Sequence, residues 1–296
     1  MLRVAFLGLG SMGGPMARRI VGAGFPVIVW NRDPRRAAPF SALGVSVAET
    51  PRQAASRAEV VCTMLADPLA VEAVASGPDG LLAGLSPGAL WLDFSTVTPA
   101  TSRACDARTR ERGARFCDVP VAGSVKPAAD GTLKILAGGD AADLERARPV
   151  LEAVSKGVLN FGPVGQGSAM KLVNNLLFGV TLAAFGEALG LARRLGLPEK
   201  ETTEWLLSIP SVSPYLKAKM DFLAGGGDPP AFQLSLMEKD LRLMVEAGGG
   251  PFHAPVVDAA RHDYERARKA GLGERDFAHV LSFLKGPLPK SGEPII

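Results

Sequence analysis

The chain is poor in the residues that build metal centres and disulfide frameworks. Its 296 residues include three cysteines and three histidines. Cys62, Cys105 and Cys117 are far apart and odd in number, and no pair has the spacing of a zinc site. Neither a structural metal nor a disulfide framework is expected. Cys62 and Cys117 lie in apolar runs, where a free cysteine serves as a small core residue. His253, His262 and His279 form no metal-ligand pattern and read as structural or surface residues. A strong charge of one sign is also missing. The net charge of +3 comes with no basic block and no interleaving of basic with aromatic residues, so nucleic acid is not an expected partner. The longest apolar tract, 172–192, is interrupted by Asn174, Asn175 and Glu187, which a membrane span seldom tolerates. The opening run 2–7 is too short for an export signal and flows into glycines. The expectation is a cytoplasmic protein with no membrane partner, and no internal repeat or low-complexity segment argues otherwise.

What is present is a globular composition. With 47% hydrophobic and 21% charged residues, the chain can bury a large core. Its length suits one large domain or two ordinary ones. In the first half, segments 4–7, 27–30, 60–64, 90–93 and 116–121 read as strands, and 12–23, 34–43, 69–75 and 99–112 as helices between them. Continuous apolar strands separated by helices predict a parallel sheet covered on both faces. A further strand at 133–137 and a helix at 141–154 follow. Beyond the glycine-rich stretch 162–167, strand signals nearly vanish. Segment 168–195 reads as one long helix, with Leu172, Leu176, Val180 and Ala183 recurring every three or four residues. Gly196 stops it and Pro198 marks a fresh start. More helical stretches lie at 200–207, 234–247, 256–270 and 276–284, before a loosely held extension at 286–296. The predicted architecture is a doubly wound α/β domain of the Rossmann type over 1–163, followed by an all-helical domain over 164–296 for substrate binding and oligomerisation.

The first strand runs into Gly8-Leu9-Gly10-Ser11-Met12-Gly13, and a helix follows. In this context Gly8 permits a tight turn, Gly10 lets backbone approach a pyrophosphate, and Gly13 lets helix pack on strand. The helix N-terminus then offers N–H donors and partial positive charge to phosphates. The second strand ends in Asn31-Arg32-Asp33-Pro34. An NAD site usually places an acid there to bind the ribose 2′-hydroxyl. Asn31 does not repel a 2′-phosphate and the Arg32 guanidinium can grip one, so NADP is the expected cofactor. Asp33 suits a helix cap ahead of Pro34, or a ribose ligand shifted by two residues.

Three segments fall just beyond strand ends or near the expected domain boundary. Asp93-Phe94-Ser95-Thr96 and Val121-Ala122-Gly123-Ser124 carry small and hydroxyl residues that can offer donors to a carboxylate. Simple turns and helix caps use the same residues. The third segment opens the long helix, where Lys171, Asn174 and Asn175 share part of one surface. Polar groups in an apolar helix need partners or a function.

Taken in order, these motifs, with Gly14-Pro15-Met16, Asp118-Val119-Pro120, Gly131-Thr132-Leu133 and Lys239-Asp240, resemble the β-hydroxyacid dehydrogenases, a family typified by 3-hydroxyisobutyrate dehydrogenase. The resemblance covers nearly the whole chain. It implies a catalytic lysine at Lys171, a substrate-orienting asparagine at Asn175, and Thr96 and Lys239 near the nicotinamide. It also implies that Met64 and Leu65 pack beside the cofactor and that Asp240 contacts substrate or holds helices. The implied activity is hydride transfer between NADP and a small 3-hydroxy acid, 3-hydroxyisobutyrate first among them, by a homodimer or homotetramer. One departure bears on substrate. The family's Ser-Gly-Gly loop is here Ala122-Gly123-Ser124, so the hydroxyl moves by two residues. Glyoxylate or semialdehyde reduction on the same site is the alternative activity. 6-Phosphogluconate dehydrogenases carry a histidine where this chain has Asn174. Cofactor-holding relatives without activity lack the lysine that is present here.

Overall fold

The computed structural model describes residues 1–249 and 254–286. His253 and residues 287–296 of the terminal extension lie outside them. The chain divides into two compact units, Met1–Val173 and Asn174–Ile296.

The first unit opens with β1 (Val4–Leu7), α1 (Gly13–Gly22), β2 (Val27–Trp30), α2 (Ala38–Ser41), β3 (Ser46–Val47), α3 (Pro51–Ala55) and β4 (Val60–Thr63). It continues through α4 (Pro68–Ala75), α5 (Leu81–Gly84), β5 (Leu90–Asp93), α6 (Pro99–Arg110) and β6 (Arg115–Asp118). Then come β7 (Val121–Ala122), α7 (Val125–Asp130), β8 (Leu133–Ala137), α8 (Ala141–Val154) and β9 (Ser155–Asn160). The main sheet has the order β3-β2-β1-β4-β5-β6, with every neighbouring pair parallel. The order reverses beside β1, the switch point at which such sheets present a ligand crevice. Strands β1, β4 and β5 are buried along their whole length. Because side chains alternate along a strand, Val4 and Phe6 pack into one core with Met16 and Leu92, while Ala5 and Leu7 pack into the opposite core with Val61 and Trp91. All three cysteines are free and buried in these cores. Burial pushes the Cys62 thiol well up, and those of Cys105 and Cys117 up to about 12. Thiols held protonated in this way are inert.

Two of the expected elements take a different form. The strand expected over 116–121 is two strands: β6 ends at Asp118, and β7 belongs to a second sheet of order β7-β8-β9. Pro120 lies at the break and has no N–H to continue a ladder. The helix expected over 34–43 is a 3-10 turn, Pro34–Arg36, followed by the single turn of α2.

The helix α9 (Gln166–Arg194) starts in the first unit and continues into the second. After it come α10 (Glu199–Ser208), α11 (Pro214–Ala224), α12 (Leu234–Gly248), α13 (Pro255–Ala267) with a π-helical extension Arg268–Leu272, and α14 (His279–Lys285). Gly196, which ends the α9 run, has φ +74°, the left-handed conformation that glycine supplies at helix ends. The second unit is fastened by a buried ion pair. Lys219 Nζ lies 2.8 Å from Asp276 Oδ1, and the same carboxylate accepts the backbone N–H groups of Ala231, Phe232 and Ala278. The ammonium also sits 4.6 Å from the Phe277 ring centroid. Every atom of the pair is satisfied, which is the condition for tolerating buried charge.

Candidate functional site

The glycine loop after β1 shows three glycines in three different environments. Gly8 has φ +99°, and a Cβ there would meet the Met64 carbonyl oxygen at 2.3 Å. At Gly13 a Cβ would meet the Gly8 oxygen at 1.9 Å, so α1 is packed directly on the end of β1. Gly10 is the opposite case: apart from its own chain neighbours, no atom of the described residues lies within 4 Å of where its Cβ would be. There is thus room beside the backbone at the one glycine where a pyrophosphate must approach, and none at the other two. Leu9 is buried, Met12 half-buried and Ser11 exposed. The N-terminus of α1 directs its first N–H groups toward this loop. The residues present fit a dinucleotide.

Asn31 ties the second strand to that loop. Its Oδ1 accepts the Leu9 N–H at 2.8 Å, and its Nδ2 donates to the Asp33 carbonyl at 2.9 Å. An aspartate could make the first bond but has no proton for the second. Asp33 caps the 3-10 turn: Oδ1 accepts the Arg35 N–H at 3.0 Å and the Arg35 Nε at 2.9 Å. The Arg35 hydrogen bonds hold the Asp33 carboxyl below its usual range. Between two open alternatives for Asp33, the structure shows the cap. Arg35 is therefore committed, whereas the exposed Arg32 has no ion-pair partner among the described residues.

At the ends of β4 and β5, a buried network was not legible as such in the sequence. Thr63 Oγ1 donates to Asp93 Oδ1 at 2.7 Å and accepts the Trp91 Nε1–H at 2.8 Å. Asp93 Oδ1 also accepts the Ser95 N–H at 3.1 Å, and Ser95 Oγ accepts the Leu65 N–H at 2.9 Å. Asp93 thereby stitches the Met64–Leu65 turn to the Ser95–Thr96 turn. Burial pushes its carboxyl up, against the opposing hydrogen bonds from Ser95 and Thr63. The only signal available beforehand was an acid at a strand end, two residues before a serine.

Gly123 has φ +128°, and a Cβ there would meet Leu133 Cδ2 at 2.7 Å. Ser124 follows in extended conformation as the residue before α7, and its side chain makes no capping hydrogen bond. Its hydroxyl is not used up by the turn. Lys171 is half-buried in the second turn of α9. The start of that helix is bound by Asp118, whose carboxylate accepts the N–H groups of Gly165 at 2.8 Å and Ser168 at 2.6 Å.

In the second unit, three of the marked residues form one buried cluster between α9 and α12. Asn175 Nδ2 donates to Asp240 Oδ2 at 2.6 Å, and its Oδ1 accepts from Asn174 Nδ2 at 3.0 Å. Lys239 Nζ is 2.9 Å from Asp240 Oδ1, but no hydrogen bond to that oxygen is aligned. The contact is an ion pair by proximity. Asn175 has spent its acceptor and one of its two protons inside the protein, leaving one N–H.

Comparison with known proteins matches the chain in two consecutive segments. Residues 3–162 match the family described as the NAD binding domain of 6-phosphogluconate dehydrogenase. Residues 165–284 match that described as NAD-binding of NADP-dependent 3-hydroxyisobutyrate dehydrogenase. A 3-hydroxyisobutyrate dehydrogenase of Pseudomonas aeruginosa is 37% identical, over 97% of this chain and 99% of that protein. The glyoxylate/succinic semialdehyde reductase 1 of Arabidopsis thaliana is 36% identical, over 96% of this chain and 99% of that protein. An NAD-dependent L-serine dehydrogenase of Pseudomonas aeruginosa is also 36% identical, over 95% of this chain and 97% of that protein. Among solved structures, the Mycobacterium tuberculosis 3-hydroxyisobutyrate dehydrogenase with L-serine superposes with a TM-score of 0.87 at 32% identity, covering 97% of this chain and 100% of that one.

Proposed function

Because the chain belongs to the β-hydroxyacid dehydrogenase family, we propose that it moves a hydride between NADP and 3-hydroxyisobutyrate, giving methylmalonate semialdehyde, with Lys171 carrying the proton. The observation behind the proton role is a lysine in the second turn of a helix whose first turn is fastened to the carboxyl edge of the main sheet, the edge at which doubly wound sheets work on ligands. The nicotinamide supplies or accepts the hydride when bound. In the reductive direction Lys171 as an ammonium stabilises the oxygen on which charge builds and donates its proton there. In the oxidative direction the neutral amine accepts the hydroxyl proton. Gly123 and Ser124 hold the substrate carboxylate, Ser124 through the hydroxyl that its turn leaves unused. Asn175 and Asp240 orient substrate, while Met64, Leu65, Thr96 and Lys239 flank the nicotinamide. The loop 8–13 and Asn31 seat the dinucleotide, and Arg32 selects its 2′-phosphate.

Lys171→Ala tests this reading. Its kcat should fall about a hundredfold or more, the scale of a positioned acid–base group, while the NADPH dissociation constant stays near that of the unaltered protein. Near-normal turnover in the variant would remove Lys171 from the chemistry. A second reading, reduction of glyoxylate or a semialdehyde, is favoured by the 36% identity to the Arabidopsis reductase and by the displaced hydroxyl of the Ala122-Gly123-Ser124 loop. A substrate panel in both directions decides between them. Higher kcat/KM for glyoxylate or succinic semialdehyde than for the 3-hydroxyisobutyrate couple selects the reductase.

A further inference from the structure

The start of α9 is held from three sides inside the first unit. From β6, both carboxylate oxygens of Asp118 reach it: Oδ1 takes the Gly165 N–H at 2.8 Å, and Oδ2 the Ser168 N–H at 2.6 Å. From α6, Ser102 Oγ meets Ser168 Oγ at 2.8 Å, with both residues buried. From the end of β8, backbone presses against backbone. A Cβ at Gly138 would meet the Gly167 nitrogen at 2.6 Å, and one at Gly167 would meet the Leu136 oxygen at 2.4 Å and the Asp118 oxygen at 2.7 Å. Asp118 also exchanges both backbone hydrogen bonds with Gly138, at 2.7 and 3.0 Å, so the carboxylate is delivered from a fixed backbone.

A helix leaves its first N–H groups without internal partners, and a nearby side chain normally caps them from the residue just before. Here the capping carboxylate comes from 47 and 50 residues earlier in the chain. A local cap fixes only where a helix begins. A cap from a sheet strand fixes the helix against that sheet, both along its axis and in rotation about it. Lys171 is three residues beyond Ser168, on the adjoining part of the same helix surface. We propose that Asp118 is the positioning residue for Lys171, setting through the first turn of α9 where the amine stands relative to the carboxyl edge of the sheet. It touches the helix backbone and acts through it; Asn175, further along α9, is held separately by Asp240 on α12, so the effect of Asp118 on turnover passes through Lys171. The proposal rests on the reading of Lys171 as the proton carrier.

The test is a double-mutant cycle on the full chain, with Asp118→Asn made in the unaltered protein and in Lys171→Ala. Asparagine keeps the shape but turns an N–H donor toward one of the two helix N–H groups. Expected are a fall in kcat of about tenfold to a hundredfold, as for a slightly misplaced catalytic group, and little change in the NADPH dissociation constant. Amide hydrogen exchange at 165 and 168 should quicken. In the Lys171→Ala background the same substitution should cost no further turnover while quickening exchange equally. A kcat loss of the same factor in both backgrounds overturns the proposal, because a general structural defect acts regardless of Lys171. Should Lys171→Ala itself turn over normally, it is the proton assignment that fails, and the positioning role falls with it. If Asp118→Asn does not accumulate as folded protein, Asp118→Glu, which keeps the charge and displaces it by one methylene, is carried through the same cycle. A kcat loss confined to the background that retains Lys171 then supports the positioning role, and an equal loss in both overturns it.

Discussion

Two arginines three residues apart in one loop have opposite situations. Arg35 is paired with Asp33, whose carboxylate also accepts the Arg35 backbone N–H as a cap, while Arg32 is exposed and free of any ion pair among the described residues. If Arg32 grips the 2′-phosphate, its loss removes a charge-assisted hydrogen bond worth about 1.5–3 kcal/mol. Arg32→Ala should then weaken NADPH binding by roughly tenfold or more and leave NADH binding almost unchanged, both followed by fluorescence titration. Equal weakening of the two coenzymes, or a native preference for NADH, would take the phosphate contact away from Arg32. Residue identity made much of this legible. Asn31, Arg32 and the glycines can be read from chemistry alone. What could not be read is that Asn31 spends both ends of its amide on backbone, at Leu9 and at Asp33. Its neutrality is required by the loop as well as tolerated by a phosphate. Likewise Asn175 looks like an offered amide in sequence but is largely engaged with Asn174 and Asp240, because its partner lies 65 positions away.

Elements were legible where a single physical signal ran their whole length. β1 and β2 are continuous apolar runs, β5 is one up to its last residue, Asp93, and β8 is one but for the exposed Lys134; each falls where the apolar residues lie. The long α9 announced itself by periodicity. Elements were missed where the signal was short or broken: β3 has two residues and α5 four, too few for any period to show. α11 carries Pro214 at its first position after Ser213, a start signal that the surrounding serines and prolines disguised as loop. At the start of α14 the structure adds a pH dependence. His279 is packed where a Cβ on Gly227 would meet its Nε2 at 2.9 Å, and Arg275 Nε donates to that nitrogen at 3.4 Å. Burial first, and the Arg275 charge second, push the imidazole below its ordinary value. A group with a depressed folded pKa gives its full stability above the unfolded value, about 6.5 for histidine, and loses it as pH falls through the folded value. The melting temperature of His279→Gln, which cannot titrate, should therefore decline less between pH 7 and pH 5 than that of the unaltered protein. Parallel declines would mean that protonation of His279 does not load the start of α14.

At the scale of the whole molecule, the second unit shows more apolar surface than an isolated copy in water would be expected to keep. Leu177 is 64% exposed and Leu191 59%, and Trp205 on α10 is 68% exposed. α10 contains no buried residue at all. Along α9, Leu177, Ala184, Ala188 and Leu191 are all exposed, at spacings that keep them on one side of the helix. By length and composition α9 would also suit a bilayer, although 44% of its apolar window is already buried inside the fold. A second copy of the chain satisfies the exposed face without a membrane, since an apolar stripe on a symmetry axis meets itself, and a stable pair needs about 1,200–2,000 Å² of buried surface. We propose a homodimer or homotetramer built on this face. Sedimentation at micromolar concentration should show an oligomer, and Leu177→Glu with Leu191→Glu should shift it toward monomer while the far-ultraviolet circular dichroism is kept. Iodide quenching of tryptophan emission should rise in the same variant as Trp205 becomes accessible. A protein that sediments as monomer before any substitution, or an oligomer indifferent to both glutamates, would place the interface elsewhere. Flotation of the unaltered protein with neutral phosphatidylcholine vesicles would show instead that lipid is what covers α9.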